Sequence, residues 1–306
     1  MKYIFQKVDF SQLWSRNQTN CLRGIAAIII VIFHVLIEWE LPRIVNLAGS
    51  VAVAAFLFLS GFGIHESYKK YGLEKYWPKK FKRIIIPYTL FITVLLPFKS
   101  EFDLKAYILD ITYIHSSYWF ISYLIRCYLL YWIIQRFFPN KLFFLYFIGC
   151  LVSLNIFMQI EAEQSFSFFA GILASHHIER LRITENRWFY KVATYSFLFG
   201  VFFLLLKEIP WVHSYKGTLI YHYILLMIKL PIAIPILILP TIFPLLTKSR
   251  LLYLCGIGSL EIYLVHLSII NYVTIDNFHI FLFIVYIPIL SYLFYQFNNK
   301  VIMRWI

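Results

Sequence analysis

Charge is what this 306-residue chain has least of: only 14% of its residues are Asp, Glu, Lys or Arg, against about 25% in a water-soluble domain. With 61% hydrophobic residues, 20% aromatic residues and a mean hydropathy of +0.72, that scarcity excludes a soluble globular protein. Acidic residues are the rarer sign, 15 against 28 basic ones, which leaves a net charge of +13. Cysteine is sparse as well. Cys21, Cys127, Cys150 and Cys255 all fall in or beside apolar runs, so neither an extracellular disulfide framework nor a CxxC metal site is indicated. No internal repeat, low-complexity tract or soluble domain interrupts the chain, and no nucleic-acid recognition module is present. The positive charge therefore suits anionic inner-leaflet lipid and anionic cytoplasmic ligands.

What the chain has instead is a series of apolar runs, several long enough for a helix of roughly 20 residues to cross a bilayer. Lipid admits only spanning helices or closed barrels, and continuous rather than alternating runs select helices. The sequence predicts an all-α, polytopic membrane bundle of about ten spans: 21–39, 50–65, 84–98, 117–136, 142–158, 165–178, 192–206, 219–243, 251–272 and 278–296. The sixth is short and ends in His176 and His177; the eighth is long and holds Pro231, Pro235 and Pro240. Either is a candidate for a broken or re-entrant helix. Loops on the side of the N-terminus hold 21 Lys and Arg, the others 5, which places both termini in the cytoplasm. The first twenty residues, with Asp9, Ser11, Arg16 and Asn17, are too polar for a cleaved signal peptide. The expected organisation is a single transmembrane domain over 1–306, with a cytoplasmic segment 1–20, a short cytoplasmic tail 297–306 and no appended soluble domain.

The strongest functional signal is Arg23 and His34 in NCLRGIAAIIIVIFHVLIEW. Eleven helical steps end about 20° past three full turns, so the two side chains share one face, about 16 Å apart along the axis. Titratable groups in hydrocarbon are costly and by default face a protein interior or a watery path. In the second span Ser60, Gly61 and Gly63 allow either close helix packing, the simpler account, or a turn at the cytoplasmic end. Lys79, Lys80, Lys82 and Arg83 then gather before the third span, as a lipid-headgroup anchor or as a clamp on the phosphates of an anionic donor.

Trp119, Tyr123 and Arg126 form one helical stripe, with Arg126 about nine residues into its span. An interfacial aromatic belt accounts for the rings alone. His222 and Lys229 repeat the stripe in the eighth span. In the ninth, Ser259, Tyr263 and His266 share a stripe while Glu261, the one carboxylate placed inside a span, points elsewhere. A carboxylate in lipid needs a partner or a proton, so Glu261 is either half of a salt bridge with Lys229 or Arg126 or a catalytic group. The aromatic outer segments, with Trp39, Tyr107, Tyr113, Tyr118, Trp119 and Trp211, suit stacking on sugar rings and equally a headgroup belt.

In series, RGIAAIIIVIFH (23–34), AFLFLSGF (55–62), KRIIIPY (82–88), YWFISYL (118–124) and SLEIYLVH (259–266) resemble the membrane acyltransferase 3 family over nearly the whole chain. The resemblance implies a multi-pass protein of a bacterial inner or plasma membrane that moves an acyl group, often acetyl from acetyl-CoA, onto a sugar hydroxyl. It assigns Arg23 and His34 to the family's first-helix Arg and essential His. Lys80, Lys82 and Arg83, with Ser60, take the donor side, although lysine stands where the family commonly has arginine and binds phosphate only as a point charge. Trp119, Tyr123, Arg126, Glu261, Tyr263 and His266 remain candidates for acceptor or oxyanion contacts. On this reading acetyl-CoA or another acyl-CoA is a co-substrate, with no permanently bound cofactor and no metal. The partners are membrane lipid and a glycan or lipid-linked glycan acceptor, with no nucleic acid. His34 serves as general base or as a transient acyl-imidazole.

Two other classes share some of these features. A transporter or flippase of lipid-linked glycan also lines its path with ionisable groups, but commonly shows repeated halves. A glycan polymerase or ligase usually carries a long outer loop, and the longest here is 99–116.

Overall fold

The computed structural model describes residues 9–38, 45–98, 103–113, 118–157, 160–270 and 277–302. Trp39, the loop ends 99–102 and 114–116, and the ends of the first, fourth, fifth and ninth expected spans lie outside them. The chain is 89% helix without strands among the described residues. In order the helices are α1 (Arg16–Glu38), α2 (Val45–Tyr71), α3 (Tyr76–Lys80), α4 (Ile86–Leu95), α5 (Leu104–Ile111), α6 (Trp119–Phe137), α7 (Leu142–Phe157), α8 (Ser165–His176) and α9 (Ile178–Arg182). They continue as α10 (Asn186–Glu208), α11 (Pro210–His213), α12 (Leu219–Ile242), α13 (Leu245–Lys248), α14 (Arg250–Ile257), α15 (Ser259–Ile270) and α16 (Asn277–Phe297).

Five segments among the described residues are long and apolar enough to cross a membrane: Arg16–Ile37, Leu47–Tyr71, Pro139–Ile156, Asn186–Glu208 and Leu219–Ile242. They match the first, second, fifth, seventh and eighth expected spans. The eighth, suspected of being broken, is one helix of 24 residues despite its three prolines. Proline at 235 removes the N–H that would bond the carbonyl four residues earlier, that of Pro231. Ser196 of α10 supplies a hydroxyl to that carbonyl at 2.5 Å, which satisfies the acceptor that Pro235 leaves open. The sixth expected span is a 12-residue helix, α8. The ninth is not continuous: it is α14 and α15, interrupted at Gly258.

The chain divides into two compact units, Met1–Lys69 with Phe143–Ile257, and Lys70–Leu142 with Gly258–Ile306. In the first, Trp14 is the hub of the core. Its indole N–H donates to the Leu237 carbonyl at 2.8 Å, and its ring meets Phe58 and Phe62 edge-on at 5.0 and 5.4 Å. Before it, Asp9 caps a short turn by accepting from the Ser11 backbone N–H and hydroxyl, both at 2.8 Å. Those bonds hold its carboxyl below the ordinary value.

Two helix pairs in this unit touch backbone to backbone. A Cβ on Gly24 would stand 2.0 Å from the Leu252 carbonyl oxygen, and one on Gly256 1.8 Å from that of Asn20, so α1 and α14 meet through reciprocal glycines. Gly61 and Gly171 do the same for α2 and α8, each facing a carbonyl oxygen, of Phe168 and Phe58, at 2.0 Å. This is the small-residue packing expected where lipid removes the hydrophobic drive for helix association. α2 continues through Gly61 and Gly63 to Tyr71, so of the two readings of those glycines the packing one holds and no turn forms there. Because the opposing atoms are backbone and cannot turn aside, Gly24→Ala should cost about 1–3 kcal/mol. Thermal unfolding of the purified variant checks this, and a melting temperature equal to the wild type would refute the contact.

In the second unit, α4 is preceded by a π-helical turn, Phe81–Ile85. Pro87 explains it: its ring crowds the carbonyl four residues back, that of Arg83, and offers no N–H to it, and widening the preceding turn relieves the clash. Tyr76 of α3 is buried and donates its hydroxyl to the Tyr128 carbonyl of α6 at 2.8 Å. Burial, with the neighbouring Tyr128 and Tyr131, pushes its phenol above the ordinary value, so the ring stays neutral.

Candidate active site

The candidate residues divide between the units. Arg23, His34 and Ser60 lie in the first; Lys80, Lys82, Arg83, Trp119, Tyr123, Arg126, Glu261, Tyr263 and His266 lie in the second.

Arg23 and His34 sit on the single helix α1, as their spacing requires. The Arg23 guanidinium is held from two sides. Nη2 donates to the Leu59 carbonyl of α2 at 3.3 Å, and Nη1 to Asn20 Oδ1 at 3.4 Å. Gly63 makes room for it, since a Cβ there would stand 3.3 Å from Nη2. Ser60 Oγ donates to the Phe56 carbonyl of its own helix at 2.9 Å.

Three turns on, His34 is half-buried, with Nδ1 2.9 Å from the Ile30 carbonyl oxygen. A carbonyl only accepts, so Nδ1 carries the proton and the basic lone pair is on Nε2. The edge-on Phe33 ring lies 5.0 Å from the imidazole, centre to centre. His266 in α15 makes the same bond, to the Ile262 carbonyl at 2.7 Å, but is wholly buried. Of the two fixed tautomers, only that of His34 is partly exposed.

In the second unit the basic segment spans two local structures. The Lys80 ammonium lies over the faces of Tyr76 and Tyr128, at 5.1 and 4.6 Å from their centres, a cation–π seat. Lys82 and Arg83 belong to the π-helical turn, with Arg83 exposed. The stripe of α6 has Tyr123 buried between half-buried Trp119 and Arg126, and Arg126 Nε donates to the Ser122 carbonyl at 3.3 Å. On α15, Tyr263 and His266 meet edge-on at 5.8 Å, and Tyr263 also meets Tyr118, whose hydroxyl is 2.7 Å from Ser268 Oγ. Glu261, pointing elsewhere as expected, accepts from Asn298 Nδ2 at 2.8 Å.

Of the two partners suggested for Glu261, Lys229 is engaged within its own unit. Lys229 pairs with Glu163, which also binds His222 Nδ1 at 2.9 Å through its other oxygen. All three side chains are buried. Glu163 lies in a short turn, Ala162–Gln164, just before α8, and the sequence reading passed over it as loop. Its signal was indirect: Lys229 and His222, one stripe inside a span, demand a carboxylate.

The acyltransferase 3 family model, described as an acyltransferase domain, matches residues 16–297. The chain belongs to this acyltransferase family. No curated protein and no solved structure matches it. The family covers α1 through α16 and so includes every candidate above. The protein is a membrane acyltransferase.

Proposed function

We propose that this acyltransferase moves acetyl from acetyl-CoA, drawn from the cytoplasm, onto a hydroxyl of a surface polysaccharide or its lipid-linked precursor in a bacterial plasma membrane. The observation that carries this reading is the His34 imidazole, fixed in one tautomer on the same helix face as Arg23. In the proposed step, Nε2 of His34 takes the proton of the acceptor hydroxyl as its oxygen attacks the thioester carbonyl. A C–O bond forms, the C–S bond breaks, and the imidazolium returns the proton to the departing thiolate. Coenzyme A leaves as the free thiol. Arg23 stands about 16 Å below along α1 and meets the diphosphate of the donor with N–H donors of its guanidinium. Lys80, Lys82 and Arg83 are kept as donor-side residues on the sequence pattern, in keeping with the cytoplasmic side that the excess of Lys and Arg assigns to them.

Purified protein incubated with radiolabelled acetyl-CoA and a glycan acceptor tests this, because a transporter, polymerase or ligase leaves the thioester intact. Arg23→Ala is expected to raise the KM for acetyl-CoA about tenfold or more, the loss of one charge-assisted contact. An unchanged dependence on acetyl-CoA concentration would remove Arg23 from the donor site.

A further inference from the structure

Phe33 and His34 are consecutive on α1 and therefore diverge by about 100° around the helix. Side chains one step apart do not ordinarily face each other. Yet their rings stand 5.0 Å apart at an interplanar angle of 69°. What allows this is on the neighbouring helix. A Cβ on Gly49 of α2 would lie 2.2, 2.4 and 2.6 Å from Cδ1, Cγ and Cε1 of Phe33, so one whole edge of the ring rests against a bare stretch of backbone. Any side chain at 49 would have to occupy the volume of that ring.

Two of the contacts on the imidazole have different work to do. The Ile30 carbonyl fixes the tautomer through Nδ1. The Phe33 edge restricts how far the ring plane can swing about that bond. We infer that Gly49 is a positioning residue for His34, acting through Phe33, and that this glycine sets the direction in which Nε2 points. The inference rests on His34 being the base.

The atoms that a methyl group at 49 would strike belong to a side chain, so the ring can move and the fold can survive. Gly49→Ala should therefore still fold, with a melting temperature lowered by a few degrees for the overpacking, while displacing the ring. Its kcat with acetyl-CoA should fall about ten- to a hundredfold, the scale of a small misplacement at a reacting atom, with KM unchanged. Phe33→Leu, which removes the ring without adding to the backbone, should lower kcat similarly. The double variant should be no slower than Phe33→Leu alone, because both changes act through one ring. A scaffold role would instead let the two losses multiply. A Gly49→Ala enzyme with wild-type kcat, or multiplying losses in the double variant, overturns the positioning role while leaving His34 as base. Wild-type activity in His34→Ala overturns the base assignment and the positioning role with it. Should Gly49→Ala fail to fold, the Phe33→Leu comparison decides alone: its kcat must fall at constant KM.

Discussion

Membranes carrying His34→Ala are expected to transfer acyl groups about 10²–10⁴-fold more slowly than wild type, the usual contribution of a positioned general base. The variant should nevertheless accumulate and melt normally. Its Nδ1 bond runs to a carbonyl of its own helix, at Ile30, so losing that bond unties no contact between elements. The comparison with His266 sharpens the expectation. That imidazole has the same Nδ1 arrangement but is wholly buried, so His266→Ala should register as lost stability. Initial rates at saturating acetyl-CoA, alongside thermal melts of both variants, separate the two effects. If His34→Ala turns over at the wild-type rate, catalysis lies elsewhere. Trapping a labelled acyl group on residue 34 by rapid quench would replace the general base with a covalent intermediate.

Glu163→Gln should lower the stability of the first unit by about 3–5 kcal/mol. The cost comes from what is left behind: Lys229 is 5% exposed, and without the carboxylate its ammonium is a buried, uncompensated charge. Removing both charges, as Glu163→Leu with Lys229→Met, should restore most of the loss, since a buried ion pair replaced by apolar groups of similar size is often close to neutral. Thermal melts of the single and double variants in the same detergent check this, and equal melting temperatures would show that the pair is not uncompensated when broken.

The sequence periodicity made α1 legible in detail because an apolar run with two isolated titratable groups has only one economical geometry. It could not see that α12 survives three prolines, since the compensating Ser196 hydroxyl comes from another helix, 35 residues away in sequence. Partner choice was equally hidden. Lys229 enters the sequence analysis only as a possible partner of Glu261, because helical stripes say only which residues share a face of one helix, and Glu163 lies in a turn with no periodicity at all. The glycines show a third kind of limit. Gly61 was legible as a small residue, while its counterpart Gly171 and the reciprocal pair Gly24 and Gly256 acquire meaning only when the facing carbonyl is known. In the basic segment, the π-helical turn adds a residue to one turn, so a helical wheel carried from Lys79 through to Tyr88 loses phase there. That is why residues that read as one cluster separate into a lysine seated on tyrosine rings and an exposed arginine.

The backbone contact between α1 and α14 has a consequence for how the protein meets membranes of different thickness. Helices whose main chains interlock at Gly24 and Gly256 cannot slide past one another by part of a turn without driving a carbonyl into the facing backbone. Mismatch between a bilayer and the apolar length of α1 is then taken up by tilting the two together. Tilt alters the depth of Arg23 and His34 below the lipid surface, but their separation belongs to one helix and stays as it is.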